Sequence, residues 1–245
     1  MDRHQIRIET PDGTAQARLV APSGPTPKSG VILYMDAFGV RPAMQTIAER
    51  IAAFGYAVLV PDLFYRGGHF GPFDAKTGFK EPATAALIRA AMGATTQAMT
   101  QADTGYFLDA LASHGVTGPI GTTGYCMGGP RAINAAAAHP DRIVAAASFH
   151  GGNLANDAPD SPQMNASRIK ARVYVASAGV DGSFPPEQSA RLAEAFRVAE
   201  IDHAIENYVG MAHGWCVSDH TVFNEQGAER HFARLKTLFG ETLRN

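Results

Sequence analysis

The sequence predicts an α/β fold: a mainly parallel central sheet flanked by helices, entered through an N-terminal antiparallel hairpin. Three observations predict it. Short runs that are apolar at every position alternate with segments of helical periodicity, the pattern written by strand–helix–strand units with right-handed crossovers. The runs are continuous, as strands covered on both faces require. Only the segment up to Leu19 alternates apolar and polar residues with a period of two. Residues 1–245 carry no internal repeat and no shift in composition, so one domain is expected.

The elements follow in order. Ile6 and Ile8 alternate with Gln5, Arg7 and Glu9, then Pro11-Asp12-Gly13 supplies a turn before Ala15, Ala17 and Leu19, which predicts the hairpin. Val31 to Met35 reads as a buried strand ending near Asp36. Met44, Ile47, Ile51 and Phe54 recur at helical spacing, and Gly55 stops that helix before a second buried run, Tyr56 to Val60. Residues 61–82 are Gly-rich, carry Phe64, Tyr65, Phe70 and Phe73, and show no periodicity, so they are expected as a long loop. The next helix is expected to place Met99, Tyr106, Ala110 and Leu111 on one face, with Gly115 to Gly118 breaking it before a strand at 119–123. Further strands are predicted at 143–149, 173–178 and 204–208, and helices at 188–199 and 228–239. Pro159 to Pro162 reads as a surface loop.

Composition narrows the function. Hydrophobic residues make up 45% and charged residues 18%, which suits a globular chain rather than a disordered one. Twenty-one basic against twenty-three acidic residues leave a net charge of -2, so no global field would draw the protein to a nucleic acid or an anionic membrane. A small-molecule partner fits better. No apolar run is long enough for a bilayer span or a signal core, and the cytoplasm is the expected compartment. Cys126 and Cys216 are the two cysteines, too few for a disulfide framework and without zinc-ligand spacing.

The chemistry is concentrated in Gly124-Tyr125-Cys126-Met127-Gly128-Gly129, between a short strand and the helical run 132–138. That context is the one a nucleophile elbow requires, a strand-to-helix turn so tight that residues two positions either side of the apex must lack bulk. Cys126 at the start of a helix faces unpaired amides that favour a thiolate, and the Met127 amide can donate to a developing oxyanion. A buried cysteine in a Gly-rich turn, or a dinucleotide cradle, is the bland alternative, but the Gly-x-Gly-x-x-Gly spacing and an acidic ribose partner are lacking. In this fold the order along the chain is nucleophile, acid, histidine. Asp181 follows the strand 173–178, and His213 follows the last strand. Asp181-Gly182 is also a common turn pair, and His213 is one of nine histidines, with His203 and His220 close by, so position after the last strand selects it.

With these residues the chain resembles the dienelactone hydrolase family, a cysteine-using branch of the α/β-hydrolases. The likeness runs from Met35-Asp36-Ala37-Phe38-Gly39 to the last helix, and Gly124 to Gly129 is its most specific piece. It implies an α/β-hydrolase fold, a catalytic triad of Cys126, Asp181 and His213, and a second oxyanion amide at Ala37. It also implies that Asp36, where the family typically has glutamate, contacts the cysteine before substrate arrives. One departure concerns substrate. The family holds the substrate carboxylate with arginines, one of them just after the histidine, whereas Gly214-Trp215-Cys216-Val217 stands here. Arg41, Arg66 or Lys80 would have to supply a positive group, and dienelactone itself is not assigned. Tyr125, Trp215 and His150 are expected to wall the pocket. Cys216 could pair with Cys126 on oxidation, and the unpaired thiol is the favoured expectation.

The expected activity is hydrolysis of a small ester or lactone through an acyl-enzyme, with no metal or organic cofactor. A thioesterase, a general carboxylesterase, or a non-catalytic thiol redox or binding protein on the same scaffold are the alternatives.

Overall fold

The structure, a computed structural model, describes residues 1–68 and 71–243. Phe70, counted above among the loop aromatics, lies outside them. The fold is α/β, built on one eight-stranded sheet in the order β1-β2-β4-β3-β5-β6-β7-β8. β1 (Asp2–Thr10) and β2 (Gly13–Ala21) form the antiparallel hairpin, and β2 joins β4 (Ala57–Pro61) antiparallel. β4, β3 (Gly30–Tyr34), β5 (Ile120–Tyr125), β6 (Ile143–Phe149), β7 (Arg172–Val180) and β8 (His203–Ala212) are all parallel. Among the described residues the α-helices are α1 (Pro42–Ala52), α2 (Pro82–Gly93), α3 (Gln97–Ser113), α4 (Gly128–Ala138), α5 (Pro186–Val198) and α6 (Glu225–Thr242).

The continuous apolar runs behave as their chemistry requires: β3 and β4 are buried at every residue, and so is β5, although it carries Thr122 and Thr123. Each buried Val, Leu or Ile there contributes roughly 1.5–3 kcal/mol of apolar transfer. The edge strands β1 and β8 alternate or are largely exposed, consistent with one covered face.

One helix went unassigned in the sequence, and two expectations need correction, the inward face of α3 and the placement of Pro159 to Pro162. The stretch after Pro82 is a helix, α2, which begins on that proline and buries Ala85, Ile88 and Ala91 at a spacing of three. In α3 the inward face is Thr100, Asp103, Thr104, Phe107, Leu108 and Leu111, while Tyr106 is exposed and Met99 and Ala110 are half-buried. Polar groups sit inward because they have partners. Asp103 takes Arg66 through two bonds of 2.7 Å, and the hydroxyls of Thr104 and Tyr34 lie 2.7 Å apart. Pro159 is exposed, but Pro162 is buried at the start of a short 3-10 helix, Pro162–Arg168.

The topology locates a site before any side chain is considered. From β3 the chain moves to one side to make β4 and then returns to the other side to make β5, so the order reverses between β3 and β5. Crevices in open parallel sheets form at such a reversal, beyond the carboxyl ends of the strands. Residues 36–39 leave β3 there, and Cys126 leaves β5 there.

Candidate active site

Cys126 occupies the turn between β5 and α4 with φ +53°, a left-handed conformation that costs a side-chain-bearing residue about 1–2 kcal/mol. Its neighbours are glycine for steric reasons. A Cβ on Gly124 would lie 1.9 Å from the Gly128 carbonyl oxygen, and one on Gly128 would lie 2.3 Å from that of Tyr34. The turn is held through the backbone of Cys126: its N–H is shared between the Phe149 carbonyl at 3.2 Å and the side-chain Nδ1 of His150 at 3.1 Å, and Gly129 N–H donates to the Cys126 carbonyl at 3.0 Å. Met127 stands at the N-terminus of α4, where first-turn amides lack intrahelical acceptors. Tyr34 pairs with Gly124, so the loop bearing Ala37 emerges beside the elbow.

Two strands away, the register pairing Val180 with Ala212 brings the ends of β7 and β8 together, and with them Asp181 and His213. His213 Nδ1 lies 2.7 Å from Asp181 Oδ2. The other carboxylate oxygen accepts from the Ser183 N–H at 2.9 Å and the Ser183 hydroxyl at 2.6 Å, so the carboxylate cannot rotate away. Burial disfavours charge on both partners. For His213 it is outweighed by hydrogen bonds and charge from Asp181 and Cys126, which carry its pKa up to about 10. For Asp181 it is outweighed by His213 and Ser183, and its pKa is lowered.

Cys126, Met127, Asp181 and His213 line one cleft of about 450 Å³, whose apolar wall includes Phe79, Met92 and Pro130. Arg131 also lines it, a residue that sequence reasoning passed over. Its guanidinium is buried and donates to the Met127 carbonyl at 2.7 Å, the Thr95 carbonyl, and the Thr100 hydroxyl at 3.2 Å. Burial among neutral acceptors lowers its pKa to about 10, with Cys126 and Asp160 opposing the shift, so it stays charged at neutral pH. Arg131 lies four residues from Met127, one turn along α4, which is the signal that could have found it.

The remaining expected residues lie elsewhere. Asp36, expected beside the thiol, has both oxygens taken up by other partners: they bind Arg41 at 2.6 and 2.8 Å, the Phe38 N–H at 3.0 Å and His220 Nε2 at 3.2 Å. Burial would raise its pKa, but His220 and Arg41 hold it below the ordinary value. Arg41 in turn grips Asp219 at 2.7 and 2.9 Å, so it is a staple between the Asp36 loop and the segment after His213, with no group turned to the cleft. Arg66 is committed to Asp103 and Asp12, and Lys80 is exposed outside the cleft lining. Tyr125, Trp215 and His150 are fully buried and do not wall the cleft. Tyr125 bonds His231 at 2.7 Å, and Trp215 packs on Tyr208 at 4.7 Å. Both cysteines are free thiols, Cys216 deep in the core with its pKa pushed well up by burial. Ser183, Asp219 and His220 were missed, because their roles depend on partners distant in the chain; only Ser183, two residues after Asp181, carries a local Asx-turn signal. Among the described residues no cluster suited to a metal ion occurs, and no helix is long and apolar enough to cross a membrane.

The family model for the dienelactone hydrolase family matches residues 15–243. A "putative carboxymethylenebutenolidase" of Synechocystis sp. is 26% identical over 223 residues, 87% of this chain and 86% of that protein. A carboxymethylenebutenolidase of Rhodococcus opacus is 30% identical over 118 residues, 47% of this chain and 41% of that one. Among solved structures, a dienelactone hydrolase from Anabaena variabilis superposes with a TM-score of 0.64 at 19% identity, covering 99% of each chain. A "putative dienelactone hydrolase" from Klebsiella pneumoniae gives 0.86 at 22% identity over 98% of each. At these identities the structural likeness is one of fold.

Proposed function

Since this chain belongs to the dienelactone hydrolase family, and is thus a hydrolase of that type, we propose that it cleaves small esters or lactones through an acyl-enzyme on Cys126. One observation carries the reading: the 2.7 Å Asp181–His213 pair opens onto the same cleft as a cysteine held at a strained elbow. Asp181 fixes the proton on Nδ1 of His213 and leaves Nε2 for chemistry. The raised pKa of His213 favours an imidazolium next to Cys126. The thiolate attacks the acyl carbonyl, and the amides of Met127 and Ala37 receive the oxyanion, each donor contributing about 10²–10³ in rate. His213 then protonates the leaving oxygen, takes a proton from water, and the hydroxide releases the acid from the sulfur.

Two features shape this cycle. With Asp36 engaged by Arg41, charge near the sulfur comes from His213 and from the buried Arg131. The cleft volume and its Phe79, Met92 and Pro130 wall suit a small acyl group with an apolar portion.

The deciding experiment is to quench the enzyme during turnover of p-nitrophenyl acetate and map the acylated residue by peptide mass. Acetyl on the Cys126 peptide, absent in Cys126→Ala together with turnover, is the expected result; turnover in Cys126→Ala removes the cysteine mechanism. A panel of lactones, aryl esters and acyl thioesters then ranks the substrates.

A further inference from the structure

We propose that His150 is a positioning residue for the nucleophile, its Nδ1 accepting the N–H of Cys126 and so fixing the turn that presents the sulfur to His213. The inference rests on the reading of Cys126 as the nucleophile.

Strand register brings the two residues together. β5 and β6 pair Tyr125 with Phe149, so the residues following each strand, Cys126 and His150, are neighbours. Both are left-handed, with φ +53° and +39°, conformations that side-chain-bearing residues seldom adopt and that surrounding bonds must hold. For His150 the hold is its own N–H, which donates to the Ala176 carbonyl on β7 at 3.0 Å. For Cys126 it is the N–H shared between the Phe149 carbonyl and the His150 ring, at 3.2 and 3.1 Å. One strained residue is thus the anchor of the next.

The ring is fully buried and outside the cleft wall, and its bond to the nucleophile is to the backbone N–H. It also packs edge-to-face on His213, with centroids 4.8 Å apart, and on Trp215 at 5.3 Å. A single side chain therefore touches the backbone of the nucleophile and the ring of the base. Acceptance at Nδ1 places the proton of the neutral ring on Nε2. Burial, reinforced by His213, His220 and His231, pushes its pKa well below 6.5, and the ring keeps its acceptor at neutral pH. Nε2 is buried with no bonding partner among the described residues. A carbon ring would fill that space without stranding a polar atom. What the imidazole supplies over a hydrocarbon is the single acceptor at Nδ1, and that acceptor meets the nucleophile.

The test compares the near-isosteric pair His150→Asn, which keeps a polar acceptor near Nδ1, and His150→Leu, which has none, in the full chain. Readouts are kcat and KM on p-nitrophenyl acetate, the rate of Cys126 alkylation by iodoacetamide, and the melting temperature. We expect kcat and alkylation in His150→Leu to fall at least about fivefold below His150→Asn with KM preserved, since misplacement of a nucleophile is a loss in the chemical step. A smaller separation, or one carried by KM, overturns the proposal. If either variant fails to fold, ¹⁵N NMR of the native ring decides: Nε2–H with a hydrogen-bonded Nδ1 supports it, and Nδ1–H or imidazolium at neutral pH overturns it. Retained turnover in Cys126→Ala would instead sink the parent reading, whatever the His150 variants do.

Discussion

Two aspartate–histidine pairs stand at the carboxyl edge of the sheet: Asp181 with His213 at 2.7 Å, and Asp36 with His220 at 3.2 Å. The side chain of His213 is 30% exposed and opens on the cleft, whereas that of His220 is 10% exposed and packs on Phe38. The larger difference is what else binds the carboxylate. Asp181 has a serine and one imidazole, so its charge is spent on raising the basicity of that imidazole. Asp36 has a bidentate guanidinium, and Arg41 continues to Asp219. The comparison teaches that an aspartate beside a histidine is chemically informative only once its other partners are known; a guanidinium turns the same pair into a brace.

Substituting the same atom in each pair should separate chemistry from bracing. Asp181→Asn is expected to lower kcat about 10²–10⁴-fold, because the tautomer of His213 is no longer enforced, while the melting temperature changes little. A variant that unfolds without a specific loss of turnover would erase the distinction. Asp36→Asn should do the reverse. Removing one charge from a fully buried pair costs roughly 3–5 kcal/mol, measurable by urea denaturation, with turnover of the folded fraction reduced by less than about tenfold. If instead it abolishes thiol reactivity at full stability, Asp36 belongs to the chemistry after all.

The pH dependence of stability sharpens the contrast. The folded pKa of His213, about 10, lies above the ordinary value of 6.5, so its pairing contributes in full below about pH 6.5 and is lost as pH rises toward 10. Wild-type stability should therefore decline across that window, and His213→Gln should flatten the decline; parallel curves would show that the pairing contributes nothing. The smallest effect is expected at Asp219, whose side chain is 37% exposed and whose partner Arg41 keeps Asp36. Asp219→Asn should cost no more than about 1 kcal/mol in the same denaturation, and a loss matching that of Asp36→Asn would mean the brace is a single cooperative unit.

Much of this edge was legible in the sequence because its signals are local. Phe149 ends β6 where the apolar run ends, Gly124 and Gly128 announce the elbow through bulk alone, and His213 follows the last strand. The misreadings share one cause. Arg41 meets Asp219 across 178 positions, Arg131 meets Thr95 across 36, and Asp103 turns inward because Arg66 waits there. Hydrophobic periodicity treats every buried polar residue as exposed, so it chose Tyr106 for the inner face of α3, and nothing local in the sequence shows that Arg41, offered with Arg66 and Lys80 as a positive group for substrate, is already paired with Asp36. The Ala-rich α2 was missed although Pro82 marks its start, because alanine gives a weak apolar contrast.

The depth of Cys216 gives the chain an internal clock. With Cys216 only 2% exposed and Cys126 half-buried, an alkylating reagent should consume one equivalent from the native protein promptly and the second only as fast as the core opens. Uptake of that second equivalent would then time global opening without any added reporter.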